Sequence, residues 1–444
     1  MSEQTEDKSS FVDRYFEISK RNTTIKTEIV AGITTFLAMA YIIFVNPSIL
    51  NQGGIPLEAA IAATIWSAAI STIMMALYAN LPVAVAPGMG LNAFFSFYVC
   101  GTVGLYWETA LGAVFISGIV FFILTVTRLR QYIINAVPMS IKCAVVVGIG
   151  LFISFVGLQN SGIIVDNKAT KVAIGELSQP EVLLTCFGVL LTGVLLARKV
   201  RGSLLIGIVV VTVMGMIFGL TPAPAAITDV VSLEFPSLAD TFMRMDVVGA
   251  LQYGLISVIF TFTVVELFDN IGTLIGVSRA AGLMEKDGRI RHLDRALLTD
   301  SCGTMVSAAL GTSTVTSYVE SAAGANAGGR TGLTALTVGV CFILALFLFP
   351  LISLVPTYAT APALIIVGGM MLRNIEGINF DDFTDVLPAF FTIIMMPLSY
   401  SIASGFGFGF ASYCLIKFFS GKYSEVSVVM WVVTAVFVIS FAMR

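Results

Sequence analysis

Apolar runs recur along the chain from residue 28 to residue 443, each of about 18 to 25 residues, long enough to cross ~30 Å of hydrocarbon as a helix. The pattern predicts spans near 28–46, 57–79, 82–101, 106–127, 138–157, 182–197, 203–220, 248–277, 297–310, 312–329, 333–355, 358–373, 384–401 and 403–419, with a further apolar run at 427–443. Two of these cannot be continuous helices. LPVAVAPGMGLNAFFSF (81–97) carries Pro82, Pro87, Gly88 and Gly90 in its first half; proline removes a backbone donor and glycine disfavours helix. LGTSTVTSYVESAAGANAGG (310–329) opens on a Thr/Ser-rich stretch that favours extended backbone. Each reads as a short extended piece followed by a half-helix.

Backbone without helical hydrogen bonds is tolerated at membrane depth only where protein buries it or a cavity needs it. A proline kink would account for either interruption alone. The two, however, are third and tenth in order, and paired interruptions in corresponding halves point to a transporter's binding site. The expected fold is therefore an all-α polytopic membrane protein of about fourteen transmembrane helices in two seven-helix repeats. An odd repeat length inverts the second half relative to the first.

Composition and charge add direction to this picture. The chain is 57% hydrophobic and 11% charged, with a net charge of -3, so neither a soluble domain nor a nucleic-acid partner is indicated. Lys8, Arg14, Lys20, Arg21 and Lys26, then Arg128, Arg130, Arg198, Lys199 and Arg201, and later Arg279, Lys286, Arg289, Arg291, Arg295, Arg330, Arg373, Lys417 and Lys422 all fall on one predicted side. The segments 158–181 and 221–247 are acidic instead. By the positive-inside rule the N-terminus is cytoplasmic. Residues 1–26 lack the apolar core and small-residue cleavage site of a signal peptide, so the first span is expected to insert as its own anchor. The six cysteines lie singly, without CxxC spacing, and read as small packing residues, not a metal or redox site.

The candidate chemistry lies in the second half. In VVELFDNIGTL (264–274), Glu266 and Asp269 stand three apart on one helical face with Thr263 and Asn270 nearby, and Glu320 sits on the half-helix of the tenth span. A lone ionised carboxylate at mid-membrane is costly, so such groups face a cavity, find a donor or take up a proton. No Lys or Arg lies at comparable depth in these spans. Satisfying a neighbouring hydroxyl would suffice for Asp269 alone. Three uncompensated acids instead suggest proton traffic or a ligand presenting N–H donors. The half-helix starting near Asn92 offers free backbone N–H groups to acceptor atoms, and Phe94, Phe95 and Tyr318 are placed to cover a flat ring or simply to pack.

APGMGLNAFFSF (86–97), ELFDNIGTLIG (266–276) and GTSTVTSYVESAAG (311–324), followed by GGRTGLT (328–334), resemble the AzgA-like purine permeases of the nucleobase:cation symporter-2 family, in order and over essentially the whole chain. The resemblance implies two inverted repeats, 27–220 and 248–444, preceded by a cytoplasmic segment 1–26 and joined by an extracytoplasmic connection 221–247. It implies a core domain (spans 1–4 and 8–11) that moves against a gate domain (spans 5–7 and 12–14) in the bacterial inner membrane, often as a homodimer. It further implies proton-coupled purine import without a bound cofactor. Carried over by motif, Glu266, Glu320, Asn92, Gly90, Ser317, Tyr318 and Phe94 are the expected substrate-binding positions, and Asp269 with Glu266 the proton-coupling acids. An ionised Glu266 would favour the adjacent N–H donors of guanine or the N1–H of hypoxanthine; a protonated one could serve adenine.

Two other functions stay in view. An anion transporter of similar architecture would use the half-helix dipoles, but acids beside the site would repel its substrate. An intramembrane enzyme finds no GxGD, and the single histidine, His292, makes HExxH impossible. GANAGGRT (324–331) mimics a phosphate-binding loop with Arg330 at the lysine position, yet it closes an apolar span, where small residues serve close helix packing. NTT at 22–24 matches a glycosylation sequon on the predicted cytoplasmic side.

Overall fold

A computed structural model describes residues 10–252, 256–284 and 290–442; Lys8, Lys286 and Arg289 of the charge pattern lie outside the described residues. After α1 (Phe11–Phe16), the first span is α2 (Ile25–Met39), continued past Ala40 and Tyr41 by α3 (Ile42–Gln52), and the second is α4 (Leu57–Met74). The third begins as the strand β1 (Val85–Pro87) and turns into α5 (Met89–Ala93), which runs on as a π-helix over Phe94–Thr102. Then come α6 (Trp107–Val126), the short α7 (Arg130–Ala136) and α8 (Met139–Asn160), a hairpin of β2 (Ile164–Asn167) and β3 (Lys171–Ile174), α9 (Pro180–Ala197) and α10 (Ser203–Ile217). The second half contains α11 (Val247–Gln252), α12 (Ile256–Ala280), α13 (Leu293–Leu310), β4 (Val315–Ser317), α14 (Ser321–Asn326), α15 (Gly332–Ala345), α16 (Phe349–Ser353), α17 (Thr357–Met371), α18 (Phe383–Ser399), α19 (Ile402–Phe419) and α20 (Val428–Ala442). Nine helices among the described residues are long and apolar enough to cross a membrane, and three shorter apolar ones accompany them. The run at 427–443 is thus a separate helix, α20, packed on α19.

Helix packing follows the seven-span repeat. Span one packs on span eleven (α2 on α15) as span eight packs on span four (α12 on α6). The pair α4 and α15 is matched by α13 and α6, the pair α9 and α17 by α18 and α8, and the pair α10 and α2 by α19 and α12. Advancing both partners by seven spans, and returning to the start after fourteen, maps each contact onto its counterpart. Two inverted repeats interleave, each supplying half of two packing groups. One is built from α2–α6 and α12–α15, the other from α8–α10 and α17–α19.

The two broken spans meet head to head. β1 and β4 pair antiparallel, Val85 opposite Ser317, Ala86 opposite Thr316 and Pro87 opposite Val315. Gly88 N–H donates to Thr314 O at 2.9 Å and Tyr318 N–H to Ala84 O at 2.9 Å. The outer edge of β1 is closed by Thr72 of α4, whose hydroxyl donates to Val85 O at 2.8 Å and accepts from Val85 N–H at 3.0 Å. This satisfies extended backbone that lipid could not.

At one end of the bundle the segment before α2 is fastened to the loops. Tyr15 OH donates to Leu77 O at 2.8 Å, and Arg21 Nη1 donates to Asn80 O at 2.8 Å and Arg330 O at 2.9 Å. Glu17 binds Lys20 at 2.8 Å, Arg21 at 3.2 Å and Arg291 at 3.0 Å. The Lys20 ammonium first, then Arg21 and Arg291, hold the Glu17 carboxyl down at about 2. A depressed carboxyl stabilises the fold above its unfolded range and loses that contribution as pH falls toward its folded value. Glu17→Gln is accordingly expected to lower Tm by about 1–3 °C at neutral pH. The gap to wild type should close as pH falls from about 4.5 toward 2, as read by thermal scans of both proteins in detergent.

Candidate functional site

Glu266 and Asp269 lie midway along α12, and the crossing of the broken spans is brought against them by β4. Glu266 is fully buried. One of its oxygens accepts from Thr304 Oγ1 of α13 at 2.5 Å, while Oε2 has no partner among the described residues. One turn on, Asn270 Oδ1 accepts from the backbone N–H of Ser317 at 2.6 Å, and its Nδ2 is likewise unpartnered. The same helical face therefore presents an open acceptor and an open donor, both desolvated. Neither would be left bare without a ligand or water to complete it.

Asp269 and Glu320 are half-buried and near enough to interact electrostatically. Asp269 accepts a hydrogen bond from Thr316 of β4, and Glu320 accepts from Tyr41 OH at 2.7 Å. Tyr41 stands in the break between α2 and α3, so span one also reaches the site. Ser317, an expected binding residue, places its hydroxyl 3.2 Å and 3.0 Å from the two oxygens of Asp300 on α13. Asp300 is a fourth, fully buried acid. No Lys or Arg among the described residues pairs with any of the four.

The remaining expected positions divide into two groups. Asn92 and Tyr318 tie the crossing together. Asn92 donates to Asn46 Oδ1 and accepts from Ser313, while Asn46 donates onward to Thr64 at 2.7 Å and Thr312 at 3.1 Å. Tyr318 OH donates to Pro87 O at 2.5 Å. Gly90 lies where α5 meets α8, its absent Cβ only 2.4 Å from Ile149 Cγ2. Phe94 is fully buried, stacked on Tyr98 at 5.1 Å and edge-on to Phe262 at 5.2 Å, so in this structure it packs the interior behind the crossing.

Sequence reasoning missed Asp300, Tyr41 and Asn46. Asp300 had a usable signal, a single acid within the apolar run 297–310. Asn46 and Tyr41 had none, because hydroxyl and amide side chains are common in spans and only the pairing reveals their targets. The half-helix of span three also starts earlier than expected, at Met89 after Gly88, leaving Asn92 inside it.

Acids without a pairing cation among the described residues, gathered where two broken spans cross inside an inverted-repeat bundle, mark the class as a membrane transporter. Residues 26–408 match the family model Xan_ur_permease, described as a permease family. The chain is 43% identical to adenine permease AdeQ of Escherichia coli (97% of this chain, 96% of that one). It is 44% identical to guanine/hypoxanthine permease PbuG of Bacillus subtilis (96% and 98%). Its fold matches the transmembrane domain of the cyanobacterial bicarbonate transporter BicA, with a TM-score of 0.64 at 14% identity, covering 85% of this chain and 97% of that one. The chain belongs to the nucleobase:cation symporter-2 permeases, within their AzgA-like branch.

Proposed function

We propose that this protein imports purine nucleobases together with protons. The observation that carries the reading is the open pair on α12: Glu266 Oε2 and Asn270 Nδ2 are buried, adjacent in the helix and without partners among the described residues. An acceptor beside a donor complements the edge of a 6-oxopurine, whose N1–H lies next to O6. Close relatives named as adenine permeases and as guanine/hypoxanthine permeases support a purine in general. Their nearly equal identities favour neither kind, so the preference for guanine or hypoxanthine rests on that edge alone. Glu320, held by Tyr41 on the opposite span, is assigned the far side of the base.

Asp269 is assigned the proton, with Glu266 as its alternate. Asp269 is the acid of this helix that is only partly buried, and it interacts electrostatically with a second carboxylate, Glu320. Protonation there and binding of the base would each favour the state that the other stabilises, which is what coupling requires. In this reading the core, spans 1–4 and 8–11, carries both substrates past the gate, spans 5–7 and 12–14, in a plasma membrane with the N-terminus cytoplasmic. A bicarbonate transporter shares the fold, but four acids at the crossing with no pairing cation among the described residues disfavour an anion.

The test is uptake of labelled hypoxanthine into cells, competed by adenine, guanine, xanthine and uracil and repeated with a protonophore. Guanine is expected to compete best, uracil not at all, and the protonophore to abolish accumulation. Asp269→Asn should remove the pH dependence and the accumulation together. Uptake that stays pH-dependent and accumulative in that variant would overturn the coupling assignment.

A further inference from the structure

A cavity of about 540 Å³ opens at the end of the bundle where the N-terminal arm is fastened, far along α12 from Glu266. It is lined by Arg21 and Asn22 of the arm, by 281–284 and Arg291 of the turn between α12 and α13, and by Arg330 beyond α14. Three guanidinium groups converge there. Among the described residues, the charged groups facing them are Glu17, shared by Arg21 and Arg291, Lys20 on Glu17, and Glu28, which accepts the backbone N–H of Arg330 at 2.9 Å. Arg21 spends its donors on Glu17 and on the carbonyls of Asn80 and Arg330. Arg291 and Arg330 do not. Arg291 gives one bond, from Nη2 to Glu17, and Arg330 gives Nη1 to the carbonyls of Ala325 and Gly329. Their other guanidinium donors have no partner among the described residues.

We propose that this cavity binds a phosphate group. Paired guanidinium forks match a phosphate's oxygens bidentately, and the volume leaves room for more than the bare ion. The GANAGGRT segment thus contributes its arginine to an anion site after all, though not as a nucleotide-binding loop: Gly324 is packed against α2, its absent Cβ 2.1 Å from Thr35 Oγ1 and 2.6 Å from Ala31 O. The ligand's source is either a soluble phosphomonoester or the headgroup of an anionic phospholipid. Bound there, a phosphate would join the arm, the C-terminal end of α12, beyond Glu266 and Asp269, and the segment that follows α14. This site is independent of which base is transported.

The test uses the full chain purified in detergent. Inorganic phosphate is expected to raise Tm saturably by about 2–4 °C over chloride at matched ionic strength, and the shift should vanish in Arg291→Gln and in Arg330→Gln. In vesicles of phosphatidylcholine alone the phosphate shift should persist. If adding phosphatidylglycerol raises Tm in wild type but not in Arg291→Gln, and abolishes the further effect of phosphate, a lipid headgroup is the natural occupant. Should the variants fail to purify as one species, phosphorus NMR of wild type decides, the phosphate line broadening with protein and sharpening on addition of pyrophosphate. A chloride effect equal to that of phosphate, shifts unchanged in folded variants, or no line broadening would overturn the proposal.

Discussion

Glu266→Gln is expected to cut purine uptake by about a hundredfold or more while the protein remains folded in the membrane. Glutamine has the shape of glutamate, so Thr304 keeps an oxygen to donate to and the packing of α12 on α13 is undisturbed. The open Oε2, however, then becomes an N–H₂ facing the N–H of the base. A desolvated donor facing a donor loses the hydrogen bond and leaves two buried polar groups unsatisfied, each costing roughly 1–3 kcal/mol. Uptake of labelled hypoxanthine, normalised to monodisperse protein recovered from membranes, measures it. Restoration of uptake by Glu266→Asp at a raised KM would show that the charge matters more than the reach.

The second large effect concerns folding. Between α8 and α17, Gly150 and Gly368 stand face to face: a Cβ at Gly368 would lie 2.1 Å from Gly150 O and 2.2 Å from Ser154 Oγ. The obstruction is mostly backbone, with no side chain at Gly150 to swing away. Gly368→Leu must push the helices apart, at a cost of roughly 3 kcal/mol or more. The expected result is near-complete loss of folded protein in membranes. Gly369→Leu supplies the control, because a Cβ there meets nothing within 4 Å, and it should accumulate like wild type.

Much of this architecture could be read from the chain because its signals were local. Pro87, Gly88 and the Thr/Ser run at 312–317 forbid or disfavour helix by covalent geometry and side-chain competition, and β1 and β4 form there. Glu266, Asp269 and Glu320 stood out because carboxylates in apolar runs need a reason. What stayed hidden depends on contacts between distant residues. The strand pairing of Val85 with Ser317, the link from Tyr41 to Glu320 and the chain from Asn92 through Asn46 to Thr312 join positions more than 200 residues apart or on separate spans. Hydropathy carries no record of them. The π-helical turns after α4 and α5 differ from α-helix by a single inserted residue and leave no periodic trace at this length. The hairpin of β2 and β3 lies in a polar loop read only for its charge, and α20 fell outside a count of fourteen because two repeats of seven do not need it.

The central claim is that the base binds at the crossing of the two broken spans, against α12. The most direct measurement is an experimental structure of the purified protein with hypoxanthine bound. The account predicts the ring between the first turns of α5 and α14, within hydrogen-bonding reach of Glu266 Oε2 and Asn270 Nδ2, with Glu320 on its far side. A base bound elsewhere, with Glu266 still enclosed by protein alone, would contradict it.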